Sequence, residues 1–79
     1  MVTEISFISI IQQAFEDTPP ELIDSNTEFQ KLQDWSSLTV LSIIVLIEEN
    51  FSVILNVKQI NESKTVKDLF NLVYSATIK

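Results

Sequence analysis

Residues 34–51 read DWSSLTVLSIIVLIEENF and form the most apolar part of the chain, with no Gly or Pro. Ser36 and Ser37 precede the apolar run, where a serine side chain can accept a hydrogen bond from a free N–H group in the first turn of a helix. Asn50, near the other end, is a residue type found where helices close. The pattern therefore predicts one helix from Ser37 to Phe51.

The apolar side chains of this helix separate into two groups when each residue advances the helix by about 100°. The broader group is a natural core face and consists of Val40, Ile43, Ile44, Ile47 and Phe51. The narrower group is a second row, Leu38, Leu41 and Val45, bordered by Ser42, Glu48 and Glu49. Two interpretations stay open: the preceding loop buries this row, or the row is a docking surface for a basic partner.

Upstream, residues 2–15 repeat the helical pattern. Thr3 is a suitable N-cap, Glu4 suits the positive end of the helix dipole, and Pro19 and Pro20 stop the segment. The apolar positions recur at spacings of three and four: Ile5, Phe7, Ile8, Ile11, Ala14 and Phe15. Residues 17–36 keep no period, and we expect a packed, functional loop that its apolar side chains anchor to the core: Leu22, Ile23, Phe29, Leu32 and Trp35.

Downstream, one short helical turn is expected over residues 57–61. The stretch Thr65 to Asp68 matches the [ST]-x-x-[DE] start of a last helix. Its apolar positions are Val66, Leu69, Phe70, Val73 and Tyr74. The predicted fold is all-α: a single domain over residues 1–79, built as a small four-helix bundle with a long first loop and a short third helix.

Composition excludes several classes of function. The chain has no Cys and no His, so we expect no Cys/His zinc site and no thiol or Ser/His/Asp nucleophile. It has no Gly for a phosphate-binding loop. Its net charge of −6 disfavours nucleic acid, and its longest apolar run is too short for membrane insertion. A domain of this size buries only about 60% of its unfolded surface, which leaves little room for an enzyme pocket.

The two adjacent serines, Ser36 and Ser37, have two interpretations. A serine at the start of a helix is most often a cap. One cap is enough, however, and a second hydroxyl beside the free N–H groups and positive dipole end of a helix is a suitable place for a phosphodiester.

The sequence resembles the acyl carrier protein family. The resemblance rests on Asp34-Trp35-Ser36-Ser37-Leu38, on the helix closing with Ile47-Glu48-Glu49-Asn50-Phe51, and on Thr65-Val66-Lys67-Asp68-Leu69 at the matching distance. It is specific over residues 34–73. The N-terminal third resembles the family only in length, acidity and helix placement.

The resemblance implies that Ser37 receives a covalent 4′-phosphopantetheine arm from coenzyme A through a phosphopantetheinyl transferase. Acyl groups would then be held on the arm as thioesters for acyl-transferring, elongating or acyl-activating enzymes with basic docking surfaces. The implied docking residues are Ser36, Leu38, Leu41, Val45, Glu48 and Glu49. We expect a freestanding, cytoplasmic, monomeric carrier for fatty-acid or related lipid or secondary-metabolite synthesis, and not an enzyme in itself.

Ser36 departs from the family pattern, which has Asp immediately before the modified serine. Thr39 and Ser42 also stand where many relatives carry acids, so weaker docking or fewer partners is a hypothesis. Two alternatives stay open: an unmodified helical interaction module of the same fold, and an aminoacyl or peptidyl carrier. An autonomous enzyme is not expected, since Glu48 and Glu49 point about 100° apart on a helix and cannot flank one substrate atom.

Overall fold

The computed structural model describes residues 3–77. Within them the chain forms four α-helices: α1 (Glu4–Gln12), α2 (Ser37–Phe51), α3 (Val57–Glu62) and α4 (Val66–Thr77). Two single 3₁₀ turns, Pro20–Leu22 and Phe29–Lys31, lie in the long loop between α1 and α2. Residues 3–77 contain no strand, and the predicted small four-helix bundle is confirmed.

The core lies where α1, α2 and α4 pack together, with α3 against α2. The Phe7 ring is fully buried at its centre, 5.8 Å from the ring of Phe51 and 5.7 Å from that of Phe70. On the predicted core face of α2, Val40, Ile43 and Ile47 are buried, while Ile44 and Phe51 are half-buried against them. None of the helices in residues 3–77 combines the length and apolarity that crossing a bilayer requires.

The first helix is shorter than predicted. Thr3 does cap it, since its side chain accepts a hydrogen bond from the N–H of Ser6, but α1 ends at Gln12. The N–H groups of the next three residues bond to carbonyls three positions back, which tightens and ends the helix. The same turn carries Phe15 into the core. Val2, which the prediction included, lies outside the described residues.

Ile5 is not a core residue, although the spacing grouped it with the core-facing positions. Its side chain is 84% exposed, because Phe7 and Ile11 define the buried face and Ile5 lies on the far side of the helix from Phe7.

The long loop packs on the core as expected, with one exception. Ile23 and Phe29 are buried. Trp35 is stacked against Phe15 at a centroid distance of 6.4 Å and meets Phe29 edge-to-face at 5.1 Å. Leu32 is half-buried against the same cluster. Leu22 is 60% exposed, since the 3₁₀ turn that ends there points it outward and turns Ile23 inward.

The two C-terminal helices begin at the predicted residues. α3 starts with a reciprocal pair of hydrogen bonds between Asn56 and Gln59, and it runs one residue past the predicted end. α4 starts with a similar pair between Thr65 and Asp68. On α4, Val66, Leu69 and Val73 are buried and Phe70 is half-buried; Tyr74, at 37% exposed, lies at the rim rather than in the core.

Candidate functional site

The N-terminus of α2 separates the two adjacent serines by their hydrogen bonds. Ser36 is the N-cap: its Oγ accepts from the N–H of Thr39 at 3.3 Å and lies 3.2 Å from the Thr39 Oγ1. Ser37 is the first residue of the helix and is exposed. Within residues 3–77 its hydroxyl takes part in no hydrogen bond. The free hydroxyl is therefore that of Ser37.

The polar network behind Ser36 holds the start of α2 in place. The buried hydroxyl of Thr39 donates to the backbone carbonyl of Asp34. The carboxylate of Asp34 turns the other way and accepts from the N–H of Asp17 in the α1–α2 loop, at 2.8 Å. Where the acyl carrier proteins that the sequence resembles have Asp, this chain thus has a capping serine, and the nearest upstream carboxylate, that of Asp34, binds the loop.

The positive end of α2 faces solvent at Ser37. In a helix the first N–H groups have no partner within the helix. Ser36 Oγ satisfies that of Thr39, and the carbonyl of Ser36 accepts that of Val40. The N–H groups of Ser37 and Leu38 have no such partner within the helix. They provide two donors and a favourable dipole beside the Ser37 hydroxyl, so these residues suit a phosphodiester at that hydroxyl.

Two depressions flank this turn. The first, which we call the acidic depression, has a volume of about 210 Å³, and its walls include Glu16, Asp17, Asp34, Ser36 and Leu38. The second, the apolar groove, has a volume of about 350 Å³ and is formed by Trp35, Ser36, Ser37, Val40, Leu41, Val57 and Asn61. Ser37 therefore lies at the edge of a groove whose one side is α2 and whose other side is α3.

The second apolar row of α2 is not covered by the loop. Leu38, Leu41 and Val45 are 76, 54 and 50% exposed, which excludes the interpretation in which the loop buries them. They form one side of an open depression of about 390 Å³ beside Gln13. Three apolar side chains exposed in a row on one helix are unusual on a surface that meets only water.

The row has acidic residues on its own helix and others from elsewhere in the chain. Glu48 and Glu49 are exposed at the C-terminal end of α2. At the N-terminal end the carboxylates come from elsewhere in the chain, namely Glu16 and Asp17 after α1 and Asp34 before α2. The row therefore has carboxylates near both ends.

Sequence reasoning missed the residues that come from other parts of the chain. Glu16 and Asp17 belong to the acidic depression, and Val57 and Asn61 of α3 form one wall of the apolar groove. No local pattern marks them, because each reaches the site only through the packing of α1 and α3 against α2.

One family model matches the chain over residues 6–73. It describes the phosphopantetheine attachment site. No curated protein and no solved structure matches the chain.

Proposed function

The chain belongs to the phosphopantetheine-attachment-site family, whose domains are non-catalytic carriers of a covalent 4′-phosphopantetheine group, and we propose that Ser37 is the residue that holds it. We further propose that the acyl groups carried serve fatty-acid or related lipid or secondary-metabolite synthesis. When bound, the arm supplies a thiol on which acyl groups are held as thioesters. The chain itself supplies position, charge and a docking surface.

One observation carries the choice of Ser37 over its neighbour. The Ser36 hydroxyl is engaged at the cap by Thr39, whereas the Ser37 hydroxyl is exposed and unbonded within residues 3–77. A hydroxyl that must act as a nucleophile toward coenzyme A has to be accessible. The N–H groups of Ser37 and Leu38 then lie where they stabilise the resulting phosphodiester anion.

The proposed docking surface is the exposed row of α2 with its two acidic ends. Partner enzymes with apolar side chains and surrounding basic residues would complement it. Ser36, Leu38 and Leu41 lie nearest the modified serine, and Val45 lies further along the row. Glu48 and Glu49 extend the surface at its far end. Ser36 stands where the family has an acid, so the position before Ser37 carries no charge. Glu16 and Asp17 in the acidic depression supply negative charge near it from the loop side.

The test is the intact mass of the protein after incubation with coenzyme A, magnesium and a broad-specificity phosphopantetheinyl transferase. The parent and Ser36→Ala should each gain one phosphopantetheine, and Ser37→Ala should gain none. Modification of Ser37→Ala but not of Ser36→Ala would assign the other serine. A folded parent that gains nothing from an active transferase would favour the unmodified interaction module.

The protein isolated from its own cells decides the finer parts of the proposal. The mass of its thioester-bound group separates a fatty acyl carrier from an aminoacyl or peptidyl carrier. Its total mass shows whether the carrier is freestanding, and cell fractionation tests the proposed cytoplasmic location. Replacing Ser37 with Ala in those cells should abolish function in a carrier and leave an unmodified adaptor active.

A further inference from the structure

The third helix has little of its own to hold it in place. α3 has six residues, far fewer than an isolated helix needs in water, and Ile60 is its one buried residue. Its N-terminal end is held locally by the reciprocal bonds of Asn56 and Gln59. Its C-terminal end requires partners from elsewhere, because the last carbonyls of a helix have no N–H within the helix to bind.

Gln30, in the loop before α2, supplies those partners. Its side-chain Nε2 lies 3.2 Å from the carbonyl oxygen of Ile60, 3.0 Å from that of Asn61 and 2.8 Å from that of Ser63. Two N–H groups are thus shared among three carbonyls at the end of α3. Ser63 adds two local bonds: its Oγ donates to the carbonyl of Gln59, and its N–H donates to that of Ile60 at 3.2 Å. The carbonyls of Asn61 and Ser63 are bound by Gln30 from outside the helix.

The residues that Gln30 holds belong to the same short helix that forms one wall of the apolar groove. Asn61 accepts from Gln30 through its carbonyl and lines the groove with Val57. The opposite wall, Ser37, Val40 and Leu41, belongs to α2. A change in the position of α3 therefore changes the separation of the two walls directly.

We propose that Gln30 is a positioning residue that holds α3 at its distance from α2 and so sets the opening of the apolar groove beside Ser37. The occupant of this groove, an aliphatic acyl chain attached through Ser37, rests on the proposed function. The side chains that would shield this acyl chain from water are Trp35, Val40, Leu41 and Val57. Because Gln30 sets the opening of the groove, it also determines which acyl chains the groove shields from water.

The unmodified 79-residue protein provides the first test. Gln30→Met keeps the length of the side chain and removes its donors. Gln12→Met is the matched control, since Gln12 Nε2 likewise donates to two carbonyls, of Pro20 and Ile23, at 2.9 and 3.2 Å, away from α3. Gln30→Lys is the rescue variant, because an ammonium group retains donors and suits the carbonyl end of a helix.

Two readouts report on the groove in these variants. Gln30→Met should raise amide hydrogen exchange in α3 about tenfold while exchange in α1, α2 and α4 stays at the parent value. It should also raise acrylamide quenching of Trp35, the only Trp in the chain and a wall of the groove, about twofold. Gln12→Met should change neither quantity, and Gln30→Lys should restore both toward the parent.

Exchange that rises equally in all four helices would reduce Gln30 to a general stabilising residue and overturn the proposal. Exchange that rises in α3 without a change in Trp35 quenching would overturn the link to the groove.

The loaded protein tests the occupant. Parent and Gln30→Met, loaded by the transferase from octanoyl- or butyryl-coenzyme A, are treated with hydroxylamine. Gln30→Met should lose the octanoyl group about threefold faster than the parent and the butyryl group at the parent rate. Equal rates for octanoyl in the two proteins would overturn the shielding role. A parent that is never loaded would contradict the proposed function, while exchange and quenching would still decide the role of Gln30.

Discussion

The N-termini of α2 and α4 both have a hydroxyl side chain as the cap, but they differ in whether the first N–H groups of the helix have hydrogen-bond partners. At α4 the first N–H groups all find partners: Val66 and Lys67 donate to the loop carbonyls of Thr27 and Ser25, at 3.1 and 2.9 Å, and Asp68 donates to the Thr65 hydroxyl. At α2 only the Thr39 N–H is bound by the cap, the N–H groups of Ser37 and Leu38 have no partner within the helix, and Ser37 is exposed.

Charge follows the same division. At α4 the Asp68 carboxylate accepts from the N–H groups of Lys64 and Thr65, and these bonds lower the pKa of Asp68 below its ordinary value. At α2 the corresponding position, Thr39, is a buried hydroxyl with no charge. The start of α4 carries its own anion and is closed by the loop, whereas the start of α2 has neither. The start of α2 is the one at which we propose that an anion, the phosphodiester of the arm, is attached.

Alanine substitution at the two helix starts should have different consequences, and the largest expected effect is the loss of modification at Ser37. Ser37→Ala should lose all phosphopantetheine attachment with a thermal midpoint within about 1 °C of the parent, because its hydroxyl supports no other group. Thr65→Ala should be modified at the parent rate but lose about 1 kcal/mol of unfolding free energy, a drop of roughly 4–8 °C for a domain of this size. Calorimetry measures the thermal midpoint, and intact mass measures the attachment. A Ser37→Ala protein destabilised as much as Thr65→Ala would contradict the distinction between the two helix starts.

Leu38 and Ile5 allow the same kind of comparison for two exposed apolar side chains at helix starts. Both are the second residue of their helices, and they are 76 and 84% exposed. If Leu38 makes the proposed docking contact, Leu38→Gln should lower kcat/KM of the transferase about tenfold, which corresponds to about 1.4 kcal/mol of transition-state binding. Ile5→Gln should leave kcat/KM unchanged. Equal losses in the two variants would assign the effect to surface apolarity in general.

Acid titration should distinguish the closed helix start from the open one. The folded pKa of Asp68 lies below its ordinary value of 3.8, so its stabilising effect is complete above that pH and is lost as pH falls through the folded value. The stability advantage of the parent over Asp68→Asn should therefore be constant from pH 7 to about 5 and shrink below about 4. Urea unfolding across this range measures it. An advantage independent of pH would show that the charge contributes nothing.

The smallest effect concerns the other end of α2. Ser52 closes the helix in the left-handed region, at φ 58° and ψ 33°, where a Cβ atom is unfavourable. Ser52→Gly should raise the free energy of unfolding by about 0.5–1 kcal/mol. Ser75→Gly, at an exposed position inside α4, should lower it by a similar amount. Urea unfolding of both variants checks the sign, and a loss of stability in Ser52→Gly would contradict the assignment of its strain.

The sequence predicted those features that depend on neighbours within about four residues. The caps at Thr3 and Thr65, a serine cap on α2 and the inward face of α2 are such features, and the structure confirms each and identifies the serine cap as Ser36. The predictions that were wrong, Ile5 and Leu22 as buried residues and residues 13–15 as helix, concern segments whose orientation depends on the core as a whole.

What the sequence by itself determined is the set of helices, the resemblance to a carrier family, which implies Ser37 as the attachment residue, and the two-sided character of α2. Tertiary structure decided that the apolar row of α2 stays open, that Glu16 and Asp17 share a depression with Ser36, and that Gln30 donates to the carbonyls at the end of α3. Hydrophobic periodicity and capping depend on residues within about four positions of each other, so they can be recognised from the sequence alone. Which surfaces meet across 30 residues depends instead on how all four helices bury their apolar area at once.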